Sequence, residues 1–373
     1  MSIKPRVIRR VIGCMTGTSL DALDVAMIRT SGKGLSLSVT VEDFISVSLE
    51  GLAPRLRTVA EQQSYSAGEF KKLEQEFSKF HLRVIQKLKK DRAIDLISLH
   101  GQTIYHNPPF SWQLINPSVI AHGLQVNTIY DLRAADLAMG GEGAPITPLA
   151  DFILFRNKAV RTAIVNLGGF CNITIIPKLM ENNVNAESLF KWSREIKGKD
   201  LCLCNQLLDR VSRKLFNQKY DDGGKHAANG RILAKPYAEL YAKLLMQSRA
   251  GKSLGSFDSA IGWLDNHGAK EDPADLARTV CAAIAGVICQ DTNCDLMIIA
   301  GGGVHNKTLI NELRRKASFR VQSSENYGID PSQREAVEIA ILGLLCQDRI
   351  PITLPQTTGV KDNPVSGCWV LPG

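Results

Sequence analysis

The sequence predicts an α/β protein of two lobes, each a mixed β-sheet flanked by helices. Three observations predict it. The chain has 373 residues, more than one ordinary core organises. An apolar strand, a glycine turn and a returning apolar strand open the chain over Val11–Ile28 and recur over Ala163–Ile176, a repetition that suggests duplication. A third apolar run, Asp295–Ala300, reads as a buried parallel strand and empties into Gly301-Gly302-Gly303. The lobes are expected at residues 1–150 and 151–350, with 351–373 as an extension packed back on the first.

In the first lobe Val11–Met15 is apolar, Thr16–Asp24 is small and polar, and Val25–Ile28 is apolar again. Leu35–Val47 largely alternates, the period of a half-buried strand. Phe70, Leu73, Phe77, Phe80, Val84 and Leu88 then fall three and four apart, one face of an amphipathic helix. Lys87, Lys89 and Lys90 near its end suit the helix dipole. Leu96–His100 follows as a strand, giving the order β-β-β-α-β. In the second lobe Ala163–Leu167 turns at Gly168-Gly169 and returns as Ile173–Ile176, and a helix is expected from about Lys307 to Lys316. The charged, irregular stretch Lys178–Lys199 reads as a surface connection.

Composition narrows the function classes. Hydrophobic residues make up 44% and charged residues 22%, as in soluble globular proteins. No uncharged apolar run is long enough for a membrane span, and the basic start lacks the apolar core of a secretory signal, so a cytoplasmic protein is expected. The nine cysteines form no CxxC pair and read as free thiols in a reducing compartment. The histidines do not converge on a zinc spacing. The net charge of +8 is spread along the chain with acids interleaved, which argues against nucleic acid and suits phosphorylated small molecules.

The glycine turns give that charge a use. Within Gly13–Asp24, a tight turn between antiparallel strands lets successive N–H groups converge as a nest for phosphate oxygens. Thr16, Thr18 and Ser19 add hydroxyl donors, and Gly17 leaves room for close approach. Asp21 and Asp24 would repel bare phosphate but suit one bridged by Mg²⁺. The candidate nucleotide residues here are Gly17, Thr18, Ser19, Leu20, Asp21, Ala22, Leu23 and Asp24. Gly168 and Gly169 form a second such turn, and Gly301, Gly302, Gly303 and Asn306 a third at a strand–helix junction. Taken together they point to ATP.

The motifs carry a resemblance over nearly the whole chain. Gly13–Asp24, His100–Pro108, Asp131–Asp136 with Gly140–Pro145, Asn166–Thr174, Asp200 with Asn205–Asp209, Tyr220–Gly230, Gly301–Asn306, Glu335-Ala336 and Leu354–Gly359 stand in the order seen in the anhydro-N-acetylmuramic acid kinase family. That family is similar to actin, Hsp70 and hexokinase, so the resemblance implies two ribonuclease-H-like lobes with an ATP cleft between them. It implies a kinase that opens the 1,6-anhydro bridge of its amino sugar with water and places the γ-phosphate of ATP on O6, in cell-wall recycling. By residue, it implies Asp200 as the base, Glu335, Arg133 and Asp136 at the sugar, and Asp21 reaching Mg²⁺ through water. It implies a homodimer acting on ATP and a small amino sugar. The most serious departure lies beside the proposed base: where the family reads Asp-Thr-Gly-Pro-Gly-Asn, this chain reads Asp200-Leu-Cys-Leu-Cys-Asn205, with milder changes at Ala22, Glu142 and Gln113–Pro117. A catalytically altered ATP-binding homologue and a kinase for another sugar therefore stand as alternatives. Residue by residue, Arg133 and Asp136 are also compatible with a helix-surface pair, and Glu335 with a dipole-favouring acid.

Overall fold

Strand β1 (Ile8–Thr16) is buried from Val11 to Cys14, and turns after Thr16 into antiparallel β2 (Ala22–Ser31), which pairs in turn with β3 (Ser38–Ser48). The computed structural model describes residues 7–179, 185–249, 258–290 and 292–373. Strand β4 (Leu96–Leu99) lies parallel to β1; β5 (Gln102–Asn107) and β6 (Phe110–Leu114) form a separate hairpin; β7 (Thr128–Tyr130) lies parallel to β4. The second sheet comprises β8 (Thr162–Leu167), β9 (Phe170–Ile176), β10 (Lys197–Leu203), β11 (Leu296–Ala300) and β12 (Arg320–Ser323). Near the end of the chain β13 (Cys368–Val370) pairs antiparallel with β7.

The sheet orders are β13-β7-β4-β1-β2-β3 and β10-β9-β8-β11-β12. Setting β13 aside, the two are the same arrangement. In each, the first strand pairs antiparallel with the second and parallel with the fourth, the third is antiparallel to the second, and the fifth is parallel to the fourth. The duplication expected from the repeated strand–turn–strand opening is thus present in the topology, and the fold is the expected mixed α/β type.

The chain divides into two compact units. The first takes the residues up to Arg156, the described part of 181–196, and Gln333–Gly373; the second takes Asn157 onward and Lys197–Ser332. Residues 333–350, expected with the second lobe, group with the first because the helix Arg334–Gln347 lies on β1, β4 and β2. The opposite side of the first unit is held by the helix Ala67–Lys89, which packs on β2 and β3. Its Leu73, Phe77, Val84 and Leu88 are buried as the spacing predicts, while the Phe70 ring meets that of Trp112 at a tilt, 4.4 Å between centroids. Ser66 and Glu69 close a capping box at its start. In the second unit the helix Pro273–Gln290 is buried along most of its length and packs on the helices Lys307–Lys316, Ala234–Arg249 and Asn205–Phe216.

Three local readings change. The strand expected from Leu35 begins at Ser38, because Gly34–Ser36 is a 3-10 turn with Gly34 at φ +54°. A short helix, Leu52–Ala60, precedes the long one. Lys178–Lys199 is not merely a connection: it holds the helix Ala186–Ser193 and the start of β10. Leu189, Trp192 and Ile196 are buried there, a narrow apolar stripe among charges, and Asn185 and Ser188 form the capping box. Residues 180–184 of that stretch lie outside the described ones. No helix among the described residues is long and apolar enough to cross a membrane.

Candidate active site

In the first unit, the helix Arg334–Gln347 runs antiparallel to β1. Arg9, at the start of β1, donates to Gln347 at 3.0 Å and to both carboxylate oxygens of Asp348 at 2.7 and 2.8 Å. Gly13, further along, lies against Ala336 and Ala340. The first turn of the helix, with Glu335, therefore stands toward the C-terminal end of β1, where sites collect in sheets of this kind. There the chain turns through Gly17–Asp21. Leu20 is buried at φ +58° and its N–H donates to the Gly17 carbonyl at 3.2 Å, while Thr18, Ser19 and Asp21 are exposed. A Cβ at Gly17 would find no protein atom nearer than 3.7 Å, so the missing side chain leaves space outside the turn rather than inside it.

Asp24, on β2 opposite Met15, is half-buried. Burial pushes its pKa up to about 6, against a hydrogen bond with Ser46, and the charge of Glu335 adds to the rise. Asp24 and Glu335 thus interact, which spacing could not have foretold.

Arg133 and Asp136 do not form a helix-surface pair. Arg133 donates through Nη1 to the Gly143 carbonyl at 2.6 Å and approaches His100 Nε2 at 2.9 Å. His100 Nδ1 lies 2.9 Å from the Gly101 carbonyl, so Nδ1 carries the hydrogen and Nε2 accepts from Arg133. Burial, with the Arg133 charge second, pushes the His100 pKa down to about 3, which keeps the ring neutral. Asp136 is fully buried: Oδ2 accepts from the Gly143 N–H at 2.7 Å and Oδ1 from the Thr358 hydroxyl at 2.8 Å. It braces the Gly140–Ala144 turn from inside.

In the second unit Asp200 sits within edge strand β10, opposite Asn172 and at a bulge between Asp200 and Cys202, rather than in an open loop. Asp200 is half-buried, whereas Leu201, Cys202, Leu203 and Cys204 are at most 1% exposed and belong to the core. The strand leads into the helix Asn205–Phe216, whose first amides are already used: Cys204 and Asn205 donate to the Gly169 and Gly168 carbonyls at 3.0 Å, and Gln206 to Gly169 at 3.2 Å. Asn205 Nδ2 holds the Leu167 carbonyl at 2.9 Å.

The glycines of the third turn differ in what requires them. Gly301 has φ +82°, and a Cβ there would meet Asn166 Oδ1 at 2.5 Å and the Leu167 carbonyl oxygen at 2.9 Å. Gly303 would meet Leu167 Cβ at 2.6 Å. Gly302 is exposed, with nothing nearer than 3.7 Å. Asn306 is buried and caps the helix Lys307–Lys316, accepting from Leu309 N–H at 3.0 Å. The buried group Arg334, Asp151 and Glu338 in the first unit escapes sequence reading. Its one signal is an acid inside each of two apolar helices.

A family model described as anhydro-N-acetylmuramic acid kinase matches residues 9–371. Anhydro-N-acetylmuramic acid kinase of Synechococcus elongatus is 31% identical, over 94% of this chain and 97% of that protein. The protein of the same name from Coxiella burnetii is 32% identical, over 96% of each. Among solved structures the chain is similar, at a TM-score of 0.45 and 11% identity, to component A of the (R)-2-hydroxyglutaryl-CoA dehydratase of Acidaminococcus fermentans, over 90% of this chain and 98% of that one. A ROK family glucokinase from Streptomyces griseus matches at a TM-score of 0.39 and 11% identity, over 90% and 99%. By the family match and the two relatives, this chain belongs to the anhydro-N-acetylmuramic acid kinase family.

Proposed function

We propose that this chain opens the anhydro bridge of 1,6-anhydro-N-acetylmuramic acid with water and transfers the γ-phosphate of ATP to O6, giving N-acetylmuramic acid 6-phosphate. The observation that carries the reading is the family match over residues 9–371, which takes in every candidate site residue. Asp200 takes the proton of the water that attacks the anomeric carbon. The bond from that carbon to O6 breaks, and O6 takes the phosphoryl group. Glu335 orients the sugar or the water at the end of β1. Arg133 meets the sugar with its guanidinium held by Gly143 and His100, and Asp136 supports it by bracing the turn. The hydroxyls of Thr18 and Ser19, the space at Gly17 and the exposed Gly302 suit phosphate.

Asp21 is an exposed carboxylate next to the phosphate turn, the oxygen donor that Mg²⁺ favours, and it fits a contact made through water. Bound there, the ion would neutralise charge on the phosphates. Core packing of Leu201–Cys204 supports keeping Asp200 as base, since the residues that depart from the family pattern are absorbed inside the second unit. Cytoplasmic action in cell-wall recycling and a homodimeric state belong to the same reading and rest on the family.

Purified protein with MgATP and the anhydro sugar is expected to yield the 6-phosphosugar. Asp200→Asn should lower turnover by about 10²-fold or more while ATP affinity holds. ATP binding without product rejects the proposal in favour of an altered homologue, and product only from another hexose rejects it in favour of a kinase for that sugar.

A further inference from the structure

Beneath the first turn of the helix Arg334–Gln347 lies a group of charges with no part in the chemistry above. Arg334, Asp151 and Glu338 are 1%, 1% and 0% exposed. Arg334 Nη1 donates to Asp151 Oδ1 at 2.6 Å and stands 2.7 Å from Glu338 Oε1. One cation thus faces two carboxyl groups. Burial raises the pKa of Glu338 well above the usual carboxylate range, against the attraction of Arg334.

Helix formation does not ask for this arrangement. An arginine at the first helical position opposes the helix dipole. The preceding Gln333 makes no side-chain cap. Each buried ion costs several kcal/mol of desolvation, and well-packed apolar side chains often serve stability as well or better. What the cluster supplies is position. It fastens the first residue of this helix to Asp151 on the helix Pro148–Phe155, one residue before Glu335. Gly13 and Gly343 already bring the same helix against the sheet, at β1 and at Ser98 of β4. The Gly13 contact reaches the first turn at Ala336, and the tether of Arg334 to Asp151 is a second hold on that turn, on the other side of Glu335 in sequence. The charges of Arg334 and Glu335 also attract each other.

We propose that Arg334, held by Asp151 and Glu338, is the positioning residue that sets where Glu335 presents its carboxylate to the sugar. The proposal rests on the reading that Glu335 serves the sugar.

Two variants test it, Arg334→Lys and the apolar triple D151L/R334M/E338L, each assayed below its own melting temperature against wild type and Glu335→Gln. Arg334→Lys keeps the charge but loses the fork of the guanidinium. The triple removes all three charges, and its melting temperature is expected to stay near that of wild type. Expected are a loss in kcat/KM for the sugar of about threefold or more for the lysine variant and about tenfold or more for the triple, with the KM for ATP unchanged. A folded variant, either one, with wild-type kcat/KM for the sugar overturns the proposal and leaves the cluster a purely structural tether. Glu335→Gln separates the two readings: if it is as active as wild type, the role of Glu335 at the sugar fails, whatever the Arg334 variants do.

Discussion

Gly13 and Ala336 meet backbone to backbone: a Cβ on Gly13 would stand 2.1 Å from the Ala336 carbonyl oxygen and 2.5 Å from the Ala340 nitrogen. Neither atom can rotate aside, so Gly13→Ala has to push the helix off β1. A loss of about 3 kcal/mol or more is expected in urea unfolding, at the upper end of overpacking costs. The same displacement carries Glu335 with it, so the KM for the sugar should rise in whatever fraction folds. A loss below about 1 kcal/mol would mean that the helix can yield there.

Gly17→Ala is the contrast. Its Cβ would meet nothing within 3.7 Å, and its φ lies outside the left-handed region. Stability is expected to change by no more than about 0.5 kcal/mol. If the open space holds phosphate, ATP affinity should fall by about tenfold, or about 1.4 kcal/mol. Isothermal titration with ATP and Mg²⁺ measures it; unchanged affinity removes Gly17 from the nucleotide site.

That contrast shows what the sequence could and could not tell. Long apolar runs such as Ala163–Leu167, and three-and-four spacing such as Leu73–Leu88, are local signals, and those elements stand where expected. The glycine turns were equally readable as turns. Which glycines answer to packing (Gly13, Gly301, Gly303) and which to open space (Gly17, Gly302) depends on atoms distant in sequence. Leu189, Trp192 and Ile196 were too few among charges to announce the helix and strand around them. Asp24 read as a phosphate-turn residue, and its interaction with Glu335 emerges only once β2 and the helix Arg334–Gln347 share a sheet face.

Asp24 also makes a pH prediction. Its pKa rises on folding from 3.8 to about 6, chiefly through burial. Between those values the folded state binds the extra proton, so this group favours folding below about pH 4, and that contribution is lost as pH rises through about 6. Asp24→Asn removes the charge, and should raise stability at pH 8 by at most ~3 kcal/mol, with little gain at pH 4. Equal gains at both pH values would show that Asp24 is not the titrating group.

His81 acts in the opposite direction. It is fully buried, its Nδ1–H donates to the Phe77 carbonyl at 2.9 Å, and its ring meets Phe77 edge-on at 4.4 Å. Burial lowers its pKa from 6.5 to about 4. The unfolded chain takes up a proton below pH 6.5 that the folded chain refuses until about 4, so stability drains away as pH falls through that window. His81→Leu should leave a flatter stability profile between pH 7 and pH 5, though not a flat one, because His100 is shifted the same way. Melting curves at the two pH values decide it; an unchanged slope rejects the assignment.

Thr358 and Asp136 are joined by a buried hydrogen bond. Thr358 is 1% exposed and its hydroxyl is the donor to Asp136 Oδ1, while its backbone carbonyl accepts from the Glu142 N–H at 2.8 Å. Thr358→Val keeps the shape and the backbone bond but leaves a buried carboxylate oxygen one donor short. The cost is expected to be about 1–3 kcal/mol. Asp136 also receives the Gly143 N–H, and Arg133 holds the Gly143 carbonyl, so loosening this turn loosens the guanidinium offered to the sugar. The KM for the sugar should therefore rise severalfold with the KM for ATP unchanged, and Thr358→Ser, which restores the hydroxyl, should recover both stability and KM. Equal effects of Thr358→Val on both substrates would point to general loosening of the first unit instead of a bond aimed at Arg133.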